Sequence, residues 1–143
     1  MKKVTIHIQG KSETPEGTDS TELYTQGELY RKGEDTYLFY EDTEATGFAG
    51  CRTMLHFQPR DRRVTMRRTG PQQAHLVIAE GGRNTGFYGT PYGELTIGVN
   101  GTQFSAAFDE HGGSGSFTYQ MDANTRLIST HQVTVTAKES EQA

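Results

Sequence analysis

The sequence predicts an all-β fold, a single antiparallel up-and-down β-barrel of about eight to ten strands spanning residues 1–143, on three observations. Short runs that alternate apolar and polar residues recur along the chain, turn signals separate them, and no stretch shows helical periodicity. Glycine is abundant, with 17 residues against four prolines. Together with an apolar fraction of 32% and a mean hydropathy of -0.72, this suits strands and tight turns better than packed helices. Most gaps are short, which favours a meander closed on itself over a Greek-key sandwich with long crossings, and closure also removes edge strands.

Val4, Ile6 and Ile8 alternate with Thr5, His7 and Gln9 in a first strand that ends at Gly10. Lys11 to Ser20 contains Thr14-Pro15-Glu16-Gly17 without periodicity and reads as an exposed connection. From Thr21 to Lys32, Leu23, Thr25, Gly27 and Leu29 share one face, and Tyr24, Gln26, Glu28 and Tyr30 the other. Gly33-Glu34-Asp35 turns the chain into Thr36 to Tyr40, where Tyr37-Leu38-Phe39-Tyr40 has no polar side. Glu41 to Gly50 breaks the alternation with glycines and carboxylates, as a long connection at a barrel mouth would. Arg52 to Phe57 places Thr53, Leu55 and Phe57 on one face, and a turn at Arg60-Asp61 sets Phe57 opposite Val64 and Leu55 opposite Met66. Arg68 shares that face. An arginine is costly to bury unpaired, so it must emerge at the rim or find a carboxylate, Glu41 or Glu44.

Two glycine-containing turns read as type I′ hairpins. Gly81-Gly82 would align Leu76 with Phe87 and leave His75 beside Tyr88 on the opposite face; Asn100-Gly101 would align Ile97 with Phe104 and Leu95 with Ala106. Asp109 to Gly115 reads as a flexible loop leading into Phe117, Tyr119 and Met121, which look inward. Asp122 to Arg126 is a turn, Leu127 to Ala137 the last strand, and residues 138–143 a polar tail expected to fray.

Composition narrows the function classes. A net charge of -4 argues against nucleic acid as the main partner. Arg60, Arg62, Arg63, Arg67 and Arg68 are dense, but no aromatic residue interleaves with them in sequence to give a base-stacking platform, so a solvated, salt-bridged strand is the favoured reading. No apolar run approaches the roughly 18 residues of a membrane span, and Met1-Lys2-Lys3 leads into a strand pattern; a cytoplasmic location away from membranes is the expectation. Cys51 stands alone, so no internal disulfide forms. Cys51 and His56 fall on opposite faces of one strand, and the five histidines lack metal-ligand spacing. Asp109 and Glu110 are adjacent on a loop, and Gly112-Gly113-Ser114-Gly115 lacks the lysine of a phosphate-binding loop. No catalytic residue, metal or cofactor is assigned on these patterns.

Several motifs resemble those of the YwiB-like family, a bacterial group: Tyr40-Glu41; Glu44 with Thr46-Gly47 and Gly50; Thr53; Arg68 with Gly70; Thr90-Pro91-Tyr92-Gly93-Glu94-Leu95 with Gly98-Val99; and Asp109 with Gly112-Gly113. They span nearly the whole chain in order. The resemblance implies a barrel similar to calycin or lipocalin-like folds, and it implies no activity, cofactor or catalytic residue. The chain has no tryptophan and therefore lacks the glycine-x-tryptophan signature of true lipocalins.

Barrels of about eight strands either fill with side chains or hold one small ligand. The candidate site comprises Glu41, Glu44, Thr53, Arg68, Tyr92 and Tyr119, lining a cavity or its mouth, where aromatic walls and a charged group suit a small amphipathic or anionic ligand. The competing reading is a filled barrel that serves as an interaction module. In that case the apolar residues on both faces of Tyr24 to Tyr30 and Tyr37 to Tyr40 would be covered by the first strand or by a second copy of the chain in a homodimer.

Overall fold

Ten strands run in sequence order around a closed antiparallel barrel: β1 (Lys2–Thr14), β2 (Gly17–Lys32), β3 (Asp35–Glu41), β4 (Arg52–Gln58), β5 (Arg63–Thr69), β6 (Ala74–Ala79), β7 (Arg83–Thr90), β8 (Gly93–Asp109), β9 (Gly112–Ala123) and β10 (Arg126–Glu139). Each strand pairs with the next, and β1 pairs with β10 from Val4↔Glu139 to Glu13↔Thr130, so the meander meets itself as expected. The structure is a computed structural model that describes residues 1–43, 48–90, 93–124 and 126–140. Among these, no helix is long and apolar enough to cross a membrane.

Strand pairing stacks the inward side chains in layers. One layer reads Gly27, Tyr40, Thr53, Arg68, Ala74 and Tyr88 across β2 to β7, alternating small and large residues as a tapering barrel requires. The next layer is wholly apolar: Leu29, Leu38, Leu55, Met66 and Leu76. The third holds Thr36, Phe57, Val64 and Ile78. At that end Phe57 is completely buried among the rings of Phe108, Phe117 and Phe104, with centroids 5.0, 6.1 and 6.5 Å away. Gly115 makes room for it, since a Cβ there would stand 2.7 Å from the Phe57 ring. Arg31 donates to the Phe108 carbonyl at 2.8 Å, and Arg62 donates to the Phe104 carbonyl at 2.7 Å while paired with Glu80. One end of the barrel is therefore plugged with aromatic rings and capped by satisfied guanidinium groups.

The β4–β5 register is as expected, with Phe57 opposite Val64 and Leu55 opposite Met66, joined by a single 3-10 turn over Pro59–Asp61. Phe117, Tyr119 and Met121 are buried. Five expectations are corrected. Lys11 to Ser20 is not a connection: β1 and β2 pair out to Thr14↔Gly17, and because most of these side chains meet water, no apolar alternation marks the strands. Asn100-Gly101 is not a hairpin turn but lies inside the long strand β8, where a register shift between Gly101 and Gln103 marks a bulge. Gly101 is needed there because a Cβ would overlap the Ala79 carbonyl. Ile97 consequently faces Gly86, Phe104 faces Phe117, and Leu95 sits 57% exposed.

Around Gly81-Gly82 three residues, not two, separate β6 from β7, and the turn is pinned to β8 by Gly81 N–H to the Gly101 carbonyl at 2.8 Å. The register becomes Ala74↔Tyr88 and His75↔Phe87, one residue from that of a two-residue turn. Because side chains alternate with period two, this slip sends Tyr88 inward and Phe87 outward beside His75. Finally, Asp109 to Gly115 forms no loose loop: β9 starts at Gly112. The polar tail is paired as far as Glu139, and Ser140 donates to the Lys3 carbonyl at 3.0 Å.

Candidate functional site

The unplugged end contains a cavity of about 280 Å³. Leu55, Met66, Ile78 and Phe117 form its apolar walls, and the layer of Tyr40, Arg68 and Tyr88 forms its polar collar. The feature that organises this collar is the continuation of β3. Its inward positions, Thr36, Leu38, Tyr40 and then Asp42, keep period two beyond the last strand residue, because Asp42 N–H still donates to the Cys51 carbonyl at 2.9 Å. Asp42 is thereby turned into the barrel. Its carboxylate accepts the Thr53 hydroxyl at 2.5 Å and lies 3.5 Å from Arg68 Nε.

The pair is buried, with the Arg68 side chain 8% and the Asp42 side chain 1% exposed. The Arg68 guanidinium also stacks on Phe48, 3.7 Å from the ring centroid, which desolvates one of its faces. Its Nε makes no hydrogen bond among the described residues. Burial raises the Tyr40 hydroxyl well above the usual phenol range, and the Asp42 charge adds to this. Burial likewise raises Tyr119 and Tyr88, whose hydroxyls interact with each other. All three phenols are thus neutral donors and acceptors near pH 7. His131 stacks on Tyr119 with centroids 4.9 Å apart and lies 2.8 Å from the Ser129 hydroxyl; burial lowers its pKa and favours the neutral ring.

Of the six residues singled out in the sequence, Arg68 and Tyr119 line the cavity. Thr53 is buried in the wall and touches Asp42. Glu41 does not join them: it lies one residue from Asp42, so it falls on the outer face opposite Arg52. Glu44 and Tyr92 lie outside the described residues. The carboxylate that meets Arg68 is Asp42, and Tyr40, Tyr88 and His131 complete the collar. The sequence reading missed Asp42, which alternation through Leu38 and Tyr40 extended one step would have found, whereas Tyr88 was hidden by the register of the glycine turn. The remaining arginines of the dense stretch are largely engaged outside the barrel: Arg60 with Glu34, Arg62 with Glu80, and Arg63 with Asp61 and Gln58.

Among the described residues, no cluster of histidine, cysteine, aspartate and glutamate could hold a metal ion. A search of curated proteins found no match. The crystal structure of the ywiB protein from Bacillus subtilis superposes with a TM-score of 0.84 at 21% identity, covering 98% of this chain and 93% of that one, a likeness that shows the fold. The model of a domain of unknown function, DUF1934, matches residues 6–135, in accord with the resemblance read from the motifs, and the chain belongs to this family.

Proposed function

We propose that the barrel binds a small amphipathic molecule, with the apolar body among Leu55, Met66, Ile78 and Phe117 and the polar head against Arg68, Asp42 and the tyrosine hydroxyls. The supporting observation is a nearly fully buried arginine at a cavity, with an Nε that no described residue hydrogen-bonds, directly above an apolar floor. At about 280 Å³ the space is near the ~300 Å³ lower bound of small-molecule pockets. Convergent polar groups on apolar walls are the usual composition of such sites. The other end is closed by Phe57 and its neighbours, so a ligand would enter from the end that carries Lys11, Asp19 and Phe48.

Thermal unfolding with three probes that share one body, 3-phenylpropanamide, 3-phenylpropanoate and 3-phenylpropylamine, tests this reading. Ligand that binds only the folded state raises the midpoint with concentration. At least one probe is expected to raise it. The same probe should have no effect on Val133→Trp, which fills the cavity from β10. Three null results with the wild-type protein would overturn the proposal.

A further inference from the structure

We infer that the head group this cavity accepts carries no net charge and presents a hydrogen-bond donor and acceptor side by side, as a carboxamide or a lactam edge does. This rests on the binding reading above and deepens it. Among the described residues, the charged side chains that line the cavity are Arg68 and Lys11 against Asp42 and Asp19, which sum to zero. Lys11 and Asp19 are exposed at the rim; among the described residues, the charges inside are the paired Arg68 and Asp42. Tyr40, Tyr88, Tyr119 and His131 contribute no compensating charge near neutral pH.

A carboxylate entering this collar meets Arg68 and, within a few ångströms, the Asp42 carboxylate. The attraction to one is opposed by repulsion from the other, and the ion also loses its hydration. An ammonium group meets the same balance with the signs reversed. A head with adjacent donor and acceptor avoids both costs: its carbonyl oxygen accepts from the guanidinium while its N–H donates to the carboxylate, each a charge-assisted hydrogen bond. Specificity against charged analogues is then built into Asp42, because removing its charge would leave Arg68 uncompensated and convert the collar into an anion site.

The three probes differ only in their heads and therefore test this directly. The wild-type protein is expected to bind 3-phenylpropanamide at least tenfold more tightly than 3-phenylpropanoate or 3-phenylpropylamine in calorimetric titration. Asp42→Asn should reverse the order in favour of the propanoate. Comparison is made among probes within each protein, so a lower stability of the variant does not affect the result, and if the variant does not fold the wild-type order decides alone. Preference for the propanoate or the amine, or equal affinity for all three, would overturn the neutral-head inference and leave the binding reading standing. Absence of binding by every probe would overturn that reading and this one together.

Discussion

At the scale of single residues, an arginine inside a β-barrel is stable only where its charge is answered. Arg68 is answered by Asp42, and the two are coupled in a way that dictates how they can be substituted. Arg68→Ala would remove the cation and strand a carboxylate in a nearly dry wall. The expected cost is about 3–5 kcal/mol, read from the urea midpoint, since breaking a buried pair leaves an uncompensated charge. Replacing both partners, as Arg68→Met with Asp42→Leu, should recover most of that loss because apolar groups of similar volume need no partner. Equal destabilisation by the single and double changes would show that the ion pair is not what holds this part of the wall. Ligand studies with Arg68→Ala alone would therefore confuse lost recognition with lost stability; Asp42→Asn also leaves one charge of the pair unanswered, so its use rests on comparing probes within that one variant.

At the scale of elements, strand β8 shows how close backbone approach can outweigh a turn signal. Asn-Gly between apolar runs is a strong hairpin pattern, and yet here the chain continues straight through it. Gly101 lets β8 abut the end of β6, forming a parallel bridge with Glu80 and hydrogen bonds with the Glu80–Gly82 turn. Gly101→Ala is accordingly expected to cost about 1–3 kcal/mol, the range for forcing atoms into a packed site, by pushing β8 off the Ala79 carbonyl. Gly82→Ala is the control. Its Cβ would lie 3.6 Å from Ala79 Cβ, an ordinary contact, so chemical denaturation should detect little change. If both variants behave alike, the close approach at Gly101 does not set the path of β8.

At the scale of the whole molecule, the pairing of β1 with β10 closes the ring of ten strands. Both strands are hydrogen-bonded on both sides, and Val4, Ile6, Val135 and Ala137 are buried where they meet. Backbone amides of Ile6 and Val135 should therefore exchange with solvent through the same global opening as those of Val64 and Met66 in β5. Exchange at the β1–β10 seam a hundredfold or more faster than in β5 would mean that the barrel opens there before it unfolds.

Much of this architecture was legible because alternation is a local property. Leu38, Leu55, Met66 and Phe117 each declare their face through their immediate neighbours, and the 3-10 turn at Pro59 has the connection length that their pairing needs. The same rule, extended one step past Tyr40, would have selected Asp42 over Glu41 as the carboxylate for Arg68. Period-two alternation, abundant glycine and short connections by themselves determined that the chain forms an antiparallel barrel and that Arg68 faces inward. Only the tertiary structure decided that β8 runs through Asn100-Gly101, that Tyr88 turns into the cavity, and that one end is plugged while a cavity lies toward the other. Those outcomes depend on contacts between residues far apart in the chain: Gly101 against Ala79, Phe57 against Gly115, and Arg68 against Asp42. Such contacts set the register and fill the interior, and no local pattern encodes the distance between two strands.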